Sequence, residues 1–229
     1  MNILLLIDQL QAGGAETHVL TLARALVRRG HKVVIASDEG MLARAATDLT
    51  LVSPPRPWSG RRFWPSLVPG LLFLRRLHKE HHFDVMHAHT RRTALLLRLF
   101  GVATRLFPRR FLSVRAPYDR APLPYRKKGL LRADAPALVV TAHARFSPAH
   151  RRVSYWGEQT IAVSEDLSRH LQCSFGVDPA QVTVIGNGIR HKFSGLADIF
   201  RLFFLDSFKI CLDSVKISEI VEFHIKKHS

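Results

Sequence analysis

The sequence predicts an α/β fold in which a parallel β-sheet is flanked by helices. Two short apolar runs, at residues 3–7 and 33–36, enclose the segment 16–29, whose apolar residues recur at helical spacing. Continuous apolar runs indicate strands buried on both faces, and the helix between them is their crossover. The pair Gly13-Gly14 lies in the loop between the first strand and this helix. Ligands bind at that edge of such sheets, since free helix N–H groups face it.

The alternation of strands and helices continues along the chain. Gly30 ends the first helix. The strands predicted after it are short and apolar, at residues 31–36, 49–52, 84–89, 109–115, 160–163 and 182–185. The predicted helices are 41–46, 63–82, 93–100 and 164–175, the last with Ser164 as its N-cap. The segment 116–152 has no regular pattern, although 138–141 fits either a short strand or the start of a helix.

Composition indicates which classes of binding partner and which cellular compartment suit this protein. The chain has 229 residues and a formal net charge of +16, which favours an anionic partner such as a nucleic acid, a membrane surface or a phosphate-bearing substrate. Its two cysteines, Cys173 and Cys211, are far apart and indicate neither a disulfide framework nor a metal site. The first apolar run has no basic residues before it and is interrupted by Asp8, so it is interpreted as a strand of a cytoplasmic protein.

Two cationic segments each allow two interpretations. Residues 63–82 combine leucines with arginines, which fits a core helix with solvated arginines or a basic helix on an anionic membrane surface. The core helix is preferred, and a membrane contact by its end is compatible with it. Residues 116–152 are rich in proline and arginine, which fits a loop for an anionic acceptor or a solvated basic loop.

The segment 84–89 ends in two histidines that alternate. His87 and His89 are predicted on the same face of a strand, an arrangement that suits a metal pair. No third ligand follows at a recognisable spacing, so no metal site is expected. Instead, one histidine is expected to face the crevice at the carboxyl end of the strand.

Four separated stretches together resemble a known family. They are Gly13-Gly14-Ala15-Glu16 with the helix end at 29–33, the strand 84–89, Ile161-Ala162-Val163-Ser164-Glu165, and the segment 182–189 with its turn Asn187-Gly188. In this order they resemble the N-terminal domain of a family 4 glycosyltransferase of the GT-B architecture. The fold is then a Rossmann-like parallel sheet flanked by helices, one half of a GT-B fold.

The resemblance implies a hexosyltransferase-like enzyme that moves a sugar from a nucleotide-sugar to an acceptor. In such enzymes two Rossmann-like domains face each other across a cleft, and the N-terminal one mainly holds the acceptor. No metal or other cofactor is implied, since helix N-termini and basic side chains offset the diphosphate charge. The expected substrate-binding residues are those that match the family's motifs or the ends of its strands: Gly13, Gly14, Glu16, His89, Arg115, Ser164 and Asn187.

The sequence also departs from the family pattern. Members often have a histidine that leaves the strand corresponding to 109–115 and contacts the transferred sugar, and Arg115 is expected in that place. The usual proline and aspartate of the last motif are replaced by Gly186 and Arg190. No catalytic base is assigned.

The composition changes near the end of the chain. Before His191 the basic residues are mostly arginine, whereas lysines and phenylalanines dominate afterwards. We therefore expect a domain at 1–190 and an atypical tail at 191–229 that comes from a truncated or frame-shifted reading frame. The alternative is a genuine C-terminal helix that packs on the domain. The family's donor-binding domain does not fit into so few residues.

Three function classes follow. The favoured one is an incomplete glycosyltransferase with a cationic acceptor side, whose acceptor is an envelope or lipid-linked glycan, at the inner face of a membrane. The second is a non-catalytic acceptor-binding module that needs a separate donor subunit. The third, a nucleic-acid binder, rests on charge alone, since the basic residues are not interleaved with aromatic residues in a recognisable motif, so no specific nucleic acid is expected.

Overall fold

The computed structural model describes residues 1–58, 64–106 and 135–186. They form a seven-stranded parallel sheet of order β3-β2-β1-β4-β5-β6-β7, which confirms the predicted Rossmann-like α/β fold. The strands are β1 (Asn2–Gln9), β2 (Lys32–Asp38), β3 (Thr50–Val52), β4 (Val85–Ala88), β5 (Ala137–Ala142), β6 (Gln159–Ala162) and β7 (Val182–Val184). The helices are α1 (Gly14–Arg28), α2 (Met41–Ala45), α3 (Leu67–His81), α4 (Arg91–Leu106) and α5 (Glu165–His170).

Helices cover both faces of the sheet, so its central strands are buried on both sides. Leu5 and Ile7 of β1 pack on the face covered by α1. Leu4 and Leu6 point to the opposite face, where they pack with residues of α3 and α4. This two-sided burial explains why β1 is a continuous apolar run rather than an alternating one.

Helix α3 is a core helix, as preferred from its sequence. Leu74 and Leu77 are buried against the sheet, while Arg76 on the same helix is exposed to solvent. Because α3 precedes β4 in a parallel sheet, its first turn lies at the carboxyl edge of the strands and His81 lies at the amino edge.

The strand order reverses between β1 and β4. The chain moves outward from β1 through β2 to β3 and then returns to the other side of β1. At such a switch point the loops after two neighbouring strands separate to opposite faces of the sheet and leave a crevice. Asp8 near the end of β1 and His89 after β4 therefore lie at the place where this architecture binds ligands.

One strand lies where the sequence showed little regularity. Strand β5 falls within the segment 116–152 and pairs along its length with β4. The strand predicted at 109–115, together with Arg115, lies outside the described residues. So do Asn187, its neighbours in the last motif and the tail 191–229.

The turn before β6 depends on a glycine. Gly157 has φ of +76°, and a Cβ added there would lie 2.7 Å from the carbonyl oxygen of Leu138 in β5. We expect Gly157→Ala to lower the free energy of unfolding by about 2 to 3 kcal/mol, because both the left-handed backbone and the sheet oppose the methyl group. Urea denaturation measures this. Gly186→Ala is the matched control, since none of the described residues beyond its chain neighbours lies within 4 Å of its Cβ position. Equal midpoints for the two variants would contradict the expectation.

Candidate functional site

The glycine loop opens helix α1 at the carboxyl edge of the sheet. Gly13 is the N-cap residue, has extended backbone, and accepts hydrogen bonds from the N–H of Thr17 at 3.0 Å and from its hydroxyl at 2.8 Å. As a glycine, the N-cap residue has no side chain to cap the first N–H groups of α1. The carboxylate of Glu16 lies over Gly13, while Gly14 is exposed. The loop thus presents exposed backbone and a helix N-terminus, which suits an anionic or hydroxyl-bearing ligand.

Asp8 connects this loop to the start of α4. Its carboxylate accepts a hydrogen bond from the Thr90 hydroxyl at 2.5 Å and pairs with the Arg92 guanidinium at 3.1 Å. Burial raises the pKa of Asp8 above its ordinary value, against the opposing effects of Thr90 and Arg92. The indole of Trp58 donates to the Asp8 carbonyl oxygen at 3.1 Å. These contacts fix the end of β1 beside the first turn of α4.

Three histidines from different elements meet next to the glycine loop. His18 projects from α1, His89 follows β4 and His143 follows β5. The His18 ring centroid lies 5.0 Å from that of His143 and 5.8 Å from that of His89. His89 Nδ1 and His143 Nε2 are 3.2 Å apart and share a hydrogen bond. We call these three residues the histidine cluster.

A fourth histidine supports the cluster from within the sheet. His87 lies on the same face of the chain as His89, as predicted, with ring centroids 4.1 Å apart. Its Nε2 is 2.7 Å from the Thr141 hydroxyl of β5. The His87 ring is therefore bound to a neighbouring strand, and His89 is the histidine whose ring faces His18 and His143.

All four imidazoles are held in the neutral form. Burial is the main cause, and repulsion among the rings adds to it for His87, His89 and His143. The pKa is lowered to about 4 for His18 and to about 3 for His87 and His143, and it lies well below the ordinary value for His89. At neutral pH each ring thus offers one donor and one acceptor nitrogen, so the cluster can bind hydroxyl groups or metal ions.

The predicted site residues are only partly brought together. Gly13, Gly14, Glu16 and His89 lie at the carboxyl edge near the switch point. Ser164 also lies at this edge, after β6, where its hydroxyl accepts the N–H of Leu167 at 3.1 Å and caps α5 as predicted. Its contact with a substrate stays a prediction, as do the roles of Arg115 and Asn187.

Two members of the cluster were missed from the sequence. The strand that pairs with β4 is β5, Ala137–Ala142, and a histidine, His143, follows it. The role expected of Arg115 stays a prediction, because the strand predicted at 109–115 lies outside the described residues. The sequence pattern that could have identified His143 is the apolar run 137–140, which is followed by Thr141-Ala142-His143. His18 gave no local signal, because only the fold brings α1 to the ends of β4 and β5.

Among the described helices, we find none whose length and apolar character would let it cross a bilayer.

The sequence matches one protein-family model. The model is that of glycosyltransferase family 4, and the match covers residues 12–193, most of the chain. It includes the glycine loop and all three members of the histidine cluster. A search of curated protein sequences gave no match.

Three solved structures illustrate the fold that this chain shares with known proteins. The glycosyltransferase from Rickettsia africae is 15% identical with a TM-score of 0.57, over 89% of this chain and 49% of that one. Anabaena HepE, in complex with UDP and glucose, is 16% identical with a TM-score of 0.54, over 88% and 49%. The lipopolysaccharide outer core galactosyltransferase WaaB is 11% identical with a TM-score of 0.55, over 84% and 47%. The chain thus spans about half the length of these proteins.

Proposed function

Because the chain belongs to glycosyltransferase family 4, we propose that its sheet is the acceptor-side half of an enzyme that transfers a hexose from a nucleotide-sugar. The domain of this proposal is 1–190, and the end of the family match at residue 193 supports that boundary. Within this proposal, residues 191–229 are an atypical tail outside the domain.

One observation carries this proposal: the histidine cluster and the glycine loop meet at the switch point of the sheet. His18 belongs to the helix that Gly13 and Gly14 begin, so the loop and the cluster are two parts of one surface. Neutral imidazoles and the N–H groups at a helix N-terminus bind sugar hydroxyls and phosphate oxygens. This surface is therefore suited to the sugar and phosphate groups of the reactants.

The residues of this surface receive distinct roles in the proposal. His143 contacts the transferred sugar, a role that the family resemblance gives to a histidine at the end of a strand. Gly13 and Gly14 allow the donor to approach the backbone closely, and the Glu16 carboxylate beside them accepts a sugar hydroxyl. His89 orients His143 through their hydrogen bond. Arg115, Ser164 and Asn187 are further proposed contacts along the same edge.

A transfer assay tests the proposal. The chain is joined to the donor-binding half of a family member and incubated with labelled nucleotide-sugars and a mixture of free and lipid-linked oligosaccharides. We expect labelled sugar in a glycan product and one nucleoside diphosphate released per transfer. The absence of transfer with all uridine, guanosine and adenosine diphosphate sugars would contradict the proposal, provided that the joined donor half binds its nucleotide.

An exposed stripe along α3 and the turn before it supports an acceptor held at an anionic membrane, such as a lipid-linked envelope glycan. Trp64, Val68 and Leu72 are spaced four residues apart and are 64%, 68% and 54% exposed, and Arg76 continues the stripe. Because α3 begins at the carboxyl edge, the stripe begins at the same edge of the sheet as the histidine cluster and continues along the helix. Exposed apolar side chains next to arginines suit insertion into the headgroup region of an inner membrane face.

We expect the double variant Val68→Gln, Leu72→Gln to bind anionic vesicles at least tenfold more weakly than the unchanged chain, since two apolar side chains no longer enter the lipid. Sedimentation with vesicles of phosphatidylglycerol and phosphatidylcholine measures this. Val27→Gln is the matched control, because Val27 is 43% exposed on α1, which covers the opposite face of the sheet. Unchanged binding by the double variant would assign the binding to charge alone, and an equal loss in the Val27→Gln control would contradict a role of the stripe.

A further inference from the structure

We propose that the histidine cluster binds a zinc ion, or a similar late transition metal, through one ring nitrogen each of His18, His89 and His143. Candidate ligand atoms of the three side chains all lie within 4.8 Å of one another. This site goes beyond sugar transfer, because the family resemblance implied no metal and His18 has no assigned role in the transfer proposed above.

The separation of two ligands already matches a metal site. His89 Nδ1 and His143 Nε2 lie 3.2 Å apart. Two nitrogens on a tetrahedral zinc ion are about 3.3 Å apart when each bond is about 2.0 to 2.1 Å long. An ion bound to both nitrogens replaces the hydrogen bond between them, and His18 supplies the third ligand.

An unused nitrogen of His18 points to a ligand that the protein itself does not provide. The Nε2 atom of His18 is buried and has no hydrogen-bond partner in the part of the chain that the structure describes. Leaving a buried polar atom without a partner costs about 1 to 3 kcal/mol. A metal ion uses such atoms directly, and the rings are already neutral, which is the form that binds metals.

The ligands stand on rigid elements. His18 lies on the second turn of α1, and the N–H of His89 donates to the carbonyl oxygen of Leu6 at 2.9 Å. The His87 ring packs against His89 from behind and is held by Thr141. Three nitrogen ligands leave a fourth position of a tetrahedral ion open to water or to an oxygen of a bound sugar or phosphate. Imidazole ligands select zinc, cobalt, nickel or copper over magnesium and calcium.

Cobalt and zinc titrations of the full chain, freed of metal by a chelator, test the site. We expect one Co²⁺ per chain with the strong visible absorption of a tetrahedral ion, displaced by one Zn²⁺, and no response to Mg²⁺. His18→Gln and His143→Gln should each weaken Zn²⁺ binding at least tenfold in calorimetry and remove the absorption band. His81→Gln is the control, since His81 lies at the opposite, amino edge of the sheet.

The chain also contains histidines outside the described residues. The test must therefore distinguish an ion bound at the histidine cluster from an ion bound by those other histidines. Zn²⁺ should raise the melting temperature of the unchanged chain and of His81→Gln, but not that of a foldable His18→Gln, His143→Gln double variant. No stoichiometric binding, or equal binding by the double variant, would overturn the proposal. The readout is metal binding and not sugar transfer, so its failure is separate from a failure of the proposed function.

Discussion

Replacement of His143 by alanine is expected to lower sugar transfer about 100-fold or more without unfolding the domain. His143 follows β5, is half-buried, and carries a neutral ring whose centroid lies 5.0 Å from that of His18 on the helix that the glycine loop begins. Loss of one positioned hydrogen-bonding group at a reacting sugar or phosphate costs about 10² to 10³ in rate. The assay is the transfer reaction described above, run with a chelator so that metal binding does not contribute.

Two further variants distinguish a direct role of the His143 imidazole in transfer from a structural role of this side chain. His143→Gln retains a group that can hydrogen-bond His89 Nδ1, so a low rate in this variant assigns the loss to the imidazole itself. His81→Ala removes a histidine from the amino edge of the sheet and should leave transfer unchanged. Transfer by His143→Ala at the unchanged rate would remove His143 from the site.

Trp58→Ala is expected to lower the free energy of unfolding by about 3 to 5 kcal/mol, the range for large aromatic residues in a core. Trp58 is 1% exposed and packs with its ring edge to Phe73, whose centroid is 6.0 Å away. Its backbone N–H donates to the Asp38 carboxylate at 3.1 Å and its indole N–H donates to Asp8. It therefore attaches the loop before α3 to the ends of β1 and β2.

Chemical denaturation of matched variants measures this effect. Trp58→Phe keeps most of the apolar volume and removes the indole donor, so it should lose about 1 to 3 kcal/mol. Trp64→Ala should lose less than about 1 kcal/mol, because that tryptophan is 64% exposed. Similar losses for Trp58→Ala and Trp64→Ala would show that Trp58 does not hold the loop.

The sheet was predictable because its signals are local. The runs 3–7 and 33–36, the helix between them and the glycine at its end lie within forty residues, and each obeys a simple periodicity. Helix α3 was predictable as a core helix because leucines recur at helical spacing. Strand β5 was hard to recognise, since it follows a long irregular segment and consists of six residues.

The site was less predictable because it depends on distant contacts. His89 was identified from the end of its strand. Its partners are 71 positions before it and 54 after it, at His18 and His143, and no spacing rule connects them. The family's strand-end histidine was expected after the strand predicted at 109–115, where Arg115 stands, while 138–141 fitted either a short strand or the start of a helix. The pairing of β5 with β4, which sequence periodicity does not specify, brings His143 next to His89.

The location of the sugar site is tested most directly by imidazole ¹H–¹⁵N spectra of the labelled chain, titrated with the nucleotide-sugar and the acceptor that support transfer. We predict saturable shifts of the His18 and His143 signals, with the signals of His31 and His81 unchanged. Saturable binding that leaves the histidine cluster unchanged, for example in the groove beside α2 lined by Gln11, Glu39 and Arg44, would contradict this site.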